Sequence, residues 1–327
     1  MVITAILGAS IALFLKWPVE EYVESSRRAG ITYAADAVFR EMGRHIRTAV
    51  PNSVRVWGAI SGSNSCNGTE TCYLEYLETV AGGRYNSASP TDCFNISNAS
   101  GVGVNCTTLT TTSNLVSGAA SSVSTTLANG GTINGSAIIN NTSLLVVYNQ
   151  YNNSSNNCSN SIPSVFCSAA NGGAPVITSV TNGTDPNQDV IAFAPHTFLP
   201  SGGSPSNSFQ IVNQPATYVC SPNPTALSSG ILTRYWNYGI WPTIASSVAN
   251  FSAVSSAVLA TNVIACKFYL KKLTRTNTVT TTDPAPTELV ILNSTVAASG
   301  VTQSCDNQAE PCDSVSLYEE IKVTNVP

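Results

Sequence analysis

Residues 1–57 read MVITAILGASIALFLKWPVEEYVESSRRAGITYAADAVFREMGRHIRTAVPNSVRVW. Met1 to Leu15 carry no charge, and beyond Lys16-Trp17-Pro18 the sequence turns amphipathic without a break. Val19, Tyr22, Val23, Ala29, Tyr33, Ala34, Ala37, Val38, Met42, Ile46, Ala49 and Val50 recur near helical spacing. Glu24, Arg27, Arg28, Arg40, Glu41, Arg44 and Arg47 fill the other face. Pro51 followed by Asn52-Ser53 ends the pattern, because the residue before proline resists helix. Pro18 removes one backbone donor and predicts a kink or a local melt. The expectation is one helix over residues 1–50, apolar all round in its first third and one-sided thereafter.

A secretory signal would begin with basic residues and end in a small-residue cleavage site. Neither accompanies this apolar run. A spanning helix needs about 20 apolar residues to cross roughly 30 Å of hydrocarbon. Met1–Leu15 reach only about 22 Å at about 1.5 Å per residue. The run is short by about five residues, as though its beginning lay further upstream. Residues 1–17 are expected to be the transmembrane part, with the kink near Pro18. Ile3, Ile6, Leu7, Ile11, Leu13, Phe14 and Leu15 are the candidates for packing against lipid and then against neighbouring helices.

Charged residues make up 10% of the 327, well below the roughly 25% of ordinary globular chains. Ser, Thr, Asn and Gly take their place. Lys16, Arg27, Arg28, Arg40, Arg44, Arg47 and Arg55 are half of the 14 basic residues, and none falls between Tyr85 and Thr233. With a net charge of −4 there is no basic footprint for nucleic acid. The 10 cysteines fall as local couples: Cys66/Cys72, Cys93/Cys106, Cys158/Cys167, Cys220/Cys266 and Cys305/Cys312. No CxxC occurs and only two histidines are present, His45 and His196, so metal-site spacings are missing. Such cysteine usage implies an oxidising compartment. Nearest-neighbour pairing is the expectation, although sequence alone leaves connectivity open.

Strands are predicted over Val54–Ile60, Tyr73–Val80, Leu144–Tyr148, Val176–Val180, Val190–Ala194, Phe209–Val212 and Thr217–Cys220. Others are expected over Leu232–Tyr238, Val263–Leu273, Glu288–Asn293 and Ser316–Thr324. A long helix followed by many antiparallel strands reads as α+β, the helix's later half packed on a mostly antiparallel, β-rich head over residues 51–327. Asn86 to Gly173 is low in complexity and is expected as a disulfide-clipped insertion of short strands and loops.

VITAILGASIAL, PVEEYVESSRRA and ADAVFREMGRHIRTAVPNSVRV together resemble the N-terminal helix of type IV pilin-like proteins. FQIVNQPATYVC, SGILTRYWNYGI, NVIACKFYL and VSLYEEIKVTNVP are similar to the C-terminal pattern of MshO-like minor pilins of the mannose-sensitive haemagglutinin (MSHA) pilus. The resemblance covers residues 1–57 and 207–327 and not the middle. The family's Phe-Thr-Leu-x-Glu start and its acidic residue near the mature N-terminus have no counterpart here; the first acidic residue is Glu20. The resemblance implies a non-enzymatic minor pilin, held in the inner membrane with a periplasmic head before assembly. It would then stand in an extracellular filament or its tip, among other pilins and minor pilins. A J-type pseudopilin of type II secretion shares this plan, and a surface- or glycan-binding adhesin at a filament tip is the other class.

Smaller motifs are weaker. Asp185-Pro186-Asn187-Gln188-Asp189 copies the start of a Ca²⁺ loop, but Val190 stands where glycine is needed and His196 where glutamate is needed. A turn at Pro186 is the expectation. Asp306, Glu310 and Asp313 surround Cys305/Cys312 and read as a solvated loop before a Ca²⁺ site. Sequons occur at Asn67, Asn95, Asn134, Asn182, Asn250 and Asn293, as chance allows in so Asn- and Ser-rich a chain. Tyr235-Trp236-Asn237-Tyr238 would stack on sugars or, more simply, pack inside. No nucleophile motif or phosphate loop appears, so no enzyme, cofactor or catalytic residue is expected.

Overall fold

Helix α1 (Val2–Arg47) runs for 46 residues with Pro18 inside it. Its end is tightened by amides of Thr48 and Ala49 donating to the carbonyls of His45 and Ile46, both at 3.1 Å. Asn52 then takes a left-handed conformation at φ 56°, which asparagine tolerates better than most side chains. Its side chain donates to the Asn149 carbonyl at 3.0 Å, while Asn149 donates back to that of Pro51 at 2.8 Å. The computed structural model describes residues 2–63, 66, 68–87, 93–94, 105–113, 115, 124–126, 132–134, 142–149, 164–167, 173–185, 187–198, 204, 206–224, 229–251, 254–272, 288–297 and 314–323.

Beyond the helix come β1 (Arg55–Gly58), β2 (Gly62–Ser63), β3 (Cys72–Arg84), β4 (Cys106–Thr110), β5 (Ser124–Thr126), β6 (Thr132–Asn134) and β7 (Leu144–Val146). Next are β8 (Ile177–Asn182), β9 (Asp189–His196), β10 (Ser208–Ser221), β11 (Ile231–Trp236) and the short helix α2 (Ile244–Ala249). The chain closes with β12 (Ser255–Thr261), β13 (Val263–Lys272), β14 (Glu288–Ala297) and β15 (Ser314–Val323). Among the described residues these make three sheets: β12-β11-β10-β3-β1-β2 with β7 added to β10, β13-β14-β15, and β4-β9-β8-β6-β5.

The long antiparallel pair β3–β10 is the spine, in register from Ser208 opposite Arg84 to Cys220 opposite Cys72. Its register shifts lie at Ile211/Val212 and Val212/Pro215, where a proline without an N–H is tolerated in a central strand. Gly82 lets the strands close up, since a Cβ there would stand 2.9 Å from the Phe209 carbonyl oxygen. One half of the spine packs Val56, Leu74 and Tyr218 with Phe39, Met42 and Ile46 of α1 and with Phe268 and Ile321. The other half packs Phe209 and Ile211 with Leu109, Ile177, Ile191 and Phe193 of the five-stranded sheet.

The expected α+β class, a long helix packed on the head, is corrected. Among the described residues strand predominates over helix. Nor does α1 lie along the head: its described side chains from Glu21 to Ala34 are exposed apart from half-buried Ile31, and burial starts at Ala35. The physical reason is that the apolar stripe read as one face mixes buried Met42 and Ile46 with exposed Val19, Tyr22, Val23 and Tyr33, and omits Ala35 and Phe39, which are buried. Ala35, Phe39, Met42 and Ile46 follow helical spacing into the core.

Disulfides join Cys66 to Cys72, Cys93 to Cys106 and Cys220 to Cys266, with Cα separations of 5.6, 5.1 and 6.5 Å. Cys167 is disulfide-bonded, and Cys158, Cys305 and Cys312 lie outside the described residues, as does most of the low-complexity stretch.

Candidate functional site

The exposed part of α1 carries several large apolar side chains that the core does not absorb. Phe14 is 80% exposed, Tyr22 74% and Tyr33 77%. Tyr22 and Tyr33 are separated by about three turns and so share a face. Ser26, Ala29, Gly30 and Ala37 are exposed with them, and a Cβ on Gly30 would meet nothing within 4 Å. Small residues between two tyrosines make a surface that another helix can approach closely. Ile3, Ile6, Leu7, Ile11, Leu13 and Leu15 lie on α1, as does Pro18, but those six side chains lie outside what is described. Among the described residues no helix is long and apolar enough to cross a membrane.

Where α1 meets the sheet, charge takes over. His45 Nε2 is 2.9 Å from Glu41 Oε1 on its own helix, and Nδ1 is 3.1 Å from Glu78 Oε1 on β3. Arg234 of β11 donates to Glu78 Oε2 at 3.2 Å and approaches His45 Nε2 at 3.3 Å. Arg44, which donates to Glu41 at 2.7 Å, holds that carboxyl below its usual range, with His45 adding to the effect. Under this joint the Tyr76 and Tyr218 rings stack at 5.7 Å. Both hydroxyls are buried without a hydrogen-bonding partner, as is Arg234 Nε. Burial pushes Tyr218 up to about 12 and Tyr76 well above the ordinary phenol range. The joint adds charged contacts at the helix's exit from the head to the apolar packing of Phe39, Met42 and Ile46.

A second polar knot lies on the opposite face of the same sheet. Arg55 of β1 and Glu75 of β3 are registered partners, form an ion pair and have no solvent exposure. Arg55 also donates to the carbonyls of Pro242 and Trp241, both at 2.8 Å, and lies 3.7 Å over the Phe166 ring. Tyr238 donates to Glu75 at 3.1 Å. Every charged atom is paired, which a buried ion pair requires. The sequence signal was a lone arginine inside the apolar run Val54-Arg55-Val56-Trp57, and its spacing does not reveal Glu75 as the partner.

The smaller motifs disperse. Asp185 caps its own turn, accepting from Asn187 N at 2.9 Å, whereas the Asp189 carboxylate is buried and accepts from Leu115 N at 2.8 Å. The two carboxylates therefore serve separate backbone amides. Among the described residues no group of three or more His, Cys, Asp or Glu could hold a metal ion. Asp306, Glu310 and Asp313 lie outside the described residues. In the aromatic run Tyr238 is buried, and Tyr235 stacks on Phe251 at 4.7 Å, so both rings already have partners. Of the sequons, Asn182 and Asn250 are exposed; Asn67 and Asn95 are outside the described residues, as are the side chains of Asn134 and Asn293. His196 is buried edge-on against Phe198 at 4.7 Å, and burial pulls its imidazole below the usual range. It lines a shallow recess with Ser164, whose hydroxyl has no partner. His45 and His196 thus sit in separate places, one in the joint and one in the second half of the head.

No family, curated protein or solved structure matches this chain.

Proposed function

We propose that this chain is a non-enzymatic filament subunit of minor-pilin type, in an MSHA-class type IV pilus. The observation that carries the reading is the helix projecting past the head with Phe14, Val19, Tyr22, Val23 and Tyr33 in solvent. Apolar side chains held in water on a rigid helix gain about 25 cal/mol per Å² when another helix covers them. Lipid does the same for the apolar segment around Leu7. A subunit built this way exchanges lipid for neighbouring helices on leaving the inner membrane, and no bond is made or broken. The head adds a disulfide-bonded, mostly-β body that withstands the exterior.

The test is a photo-crosslinking amino acid at Tyr33 in filament-producing cells. The expected product joins this chain to the helix of another pilin-like subunit. A probe at Trp241, on the head, should give no such product. A Tyr33 probe that reacts only with water or lipid in intact filaments overturns the proposal.

A further inference from the structure

Cys66, Cys72, Cys220 and Cys266 are all within 4% of complete burial and belong to one core cluster. The two disulfides they form are not independent of each other in space. Cys72 and Cys220 stand directly opposite one another in the β3–β10 ladder. Opposed antiparallel residues have Cα atoms about 4.5–5.5 Å apart, inside the window of about 4.4–6.8 Å that a disulfide needs. The remaining two meet as well. Cys66 Sγ lies 4.0 Å and Cys72 Sγ 3.4 Å from the same Cys266 carbonyl oxygen. The Phe268 amide donates to Cys66 Sγ at 3.2 Å, and that of Cys266 donates to Gly68 O at 3.2 Å. The four cysteines therefore share one place, Cys72 opposite Cys220 and Cys66 beside the Cys266 backbone. The exposed Lys267 lies against this loop, its Cε 3.0 Å from where a Cβ on Gly68 would stand.

We propose that these four cysteines form a single thiol–disulfide exchange site, with Cys72–Cys220 and Cys66–Cys266 as its second pairing and a thiol-bearing exchange catalyst as its partner. Once local opening uncovers it, Cys66 Sγ, the least buried of the four at 4%, is attacked by an external thiolate, making a mixed disulfide and releasing the Cys72 thiolate. Cys72 attacks Cys220 Sγ and releases the Cys266 thiolate. Cys266 then attacks Cys66 Sγ and returns the external thiolate. Two disulfides are exchanged for two, with no net oxidation or reduction. The local Cys66–Cys72 loop, with a separation of 6, closes first during oxidation because short loops cost least entropy. Cys93–Cys106 lies in the other core cluster and is a built-in control.

The experiment exposes the oxidised full chain to sub-stoichiometric reduced glutathione, quenches with acid and alkylating agent, and maps linkages by non-reducing peptide mass spectrometry. The expected result is that Cys72–Cys220 and Cys66–Cys266 peptides accumulate together in equal amounts, with Cys93–Cys106 unchanged and free thiol no greater than that added. Reduction without the second pairing, or scrambling that reaches Cys93–Cys106 equally, overturns the proposal. The result does not depend on the filament reading, which stands or falls by the Tyr33 crosslink.

Discussion

His45 on α1 places its Nδ1 3.1 Å from the Glu78 carboxylate on β3, a polar clamp beside the apolar packing of Met42 and Ile46. Arg234 reaches the same carboxylate from β11 at 3.2 Å, so Glu78 ties three elements. Glu78→Gln removes the charge that Arg234 faces and alters the acceptor beside His45. Partly exposed pairs contribute about 0.2–1 kcal/mol each, so the head should keep its melting transition to within a few degrees. Hydrogen exchange should accelerate in the amides of Arg40–Arg47 and not in β13. Equal acceleration in both would contradict the clamp.

Alkaline titration followed by phenolate absorbance tests the pocket beneath the joint. Tyr218 is raised to about 12 by burial, so its contribution to stability is whole below the ordinary phenol range. It is lost as pH rises through about 12. The expected trace shows exposed tyrosines ionising first, then a late step coincident with unfolding. Tyr218→Phe should reduce that late step. A late step unchanged in the variant would contradict the assignment. At the acid end Glu41, held low chiefly by Arg44, contributes stability that disappears as pH falls below the usual carboxylate range.

Removing one partner of the buried pair should be severe. Arg55→Met leaves Glu75 uncompensated and should cost about 3–5 kcal/mol in chemical denaturation. Glu75→Gln should cost a similar amount. The double variant should fall short of the sum, because the singles share one interaction. Additive losses would mean the two residues act separately.

Among the described glycines of the head, Gly230 is the most tightly enclosed. A Cβ there would lie 1.9 Å from the Val263 carbonyl oxygen, which itself accepts from Asn223 N at 3.0 Å. Gly230→Ala should destabilise by about 1–3 kcal/mol as the loop is forced off β13. Gly30→Ala, with open space around it, should leave thermal stability unchanged or raised. Equal effects would contradict the packing at Gly230.

Most strands were legible because half-buried β-sequence alternates: β1, β3, β8, β9, β11, β13 and β15 begin or end within a few residues of the apolar runs that suggested them. Phe209–Val212 and Thr217–Cys220 were read as two strands and are one, β10, since bulges around Pro215 absorb the missing donor. β4 and β12 were hidden because CTTLT and SSAVLAT carry too little apolar contrast. Helical periodicity at Val19–Val50 locates a helix but not which apolar residues face the head; only packing separates Met42 from Tyr33. The joint residues Glu78 and Arg234 were illegible for the same reason, being distant in sequence from His45 and adjacent only through the sheet.

The most direct test is to express Leu7→Arg beside the unaltered chain and count each in sheared filaments by immunogold labelling and mass spectrometry. A charge in the apolar segment is costly in lipid and between packed helices alike, yet far from the head's core. The unaltered chain should appear in filaments and the variant should be missing from them, with the variant's isolated head melting normally. Equal incorporation of both would contradict the account.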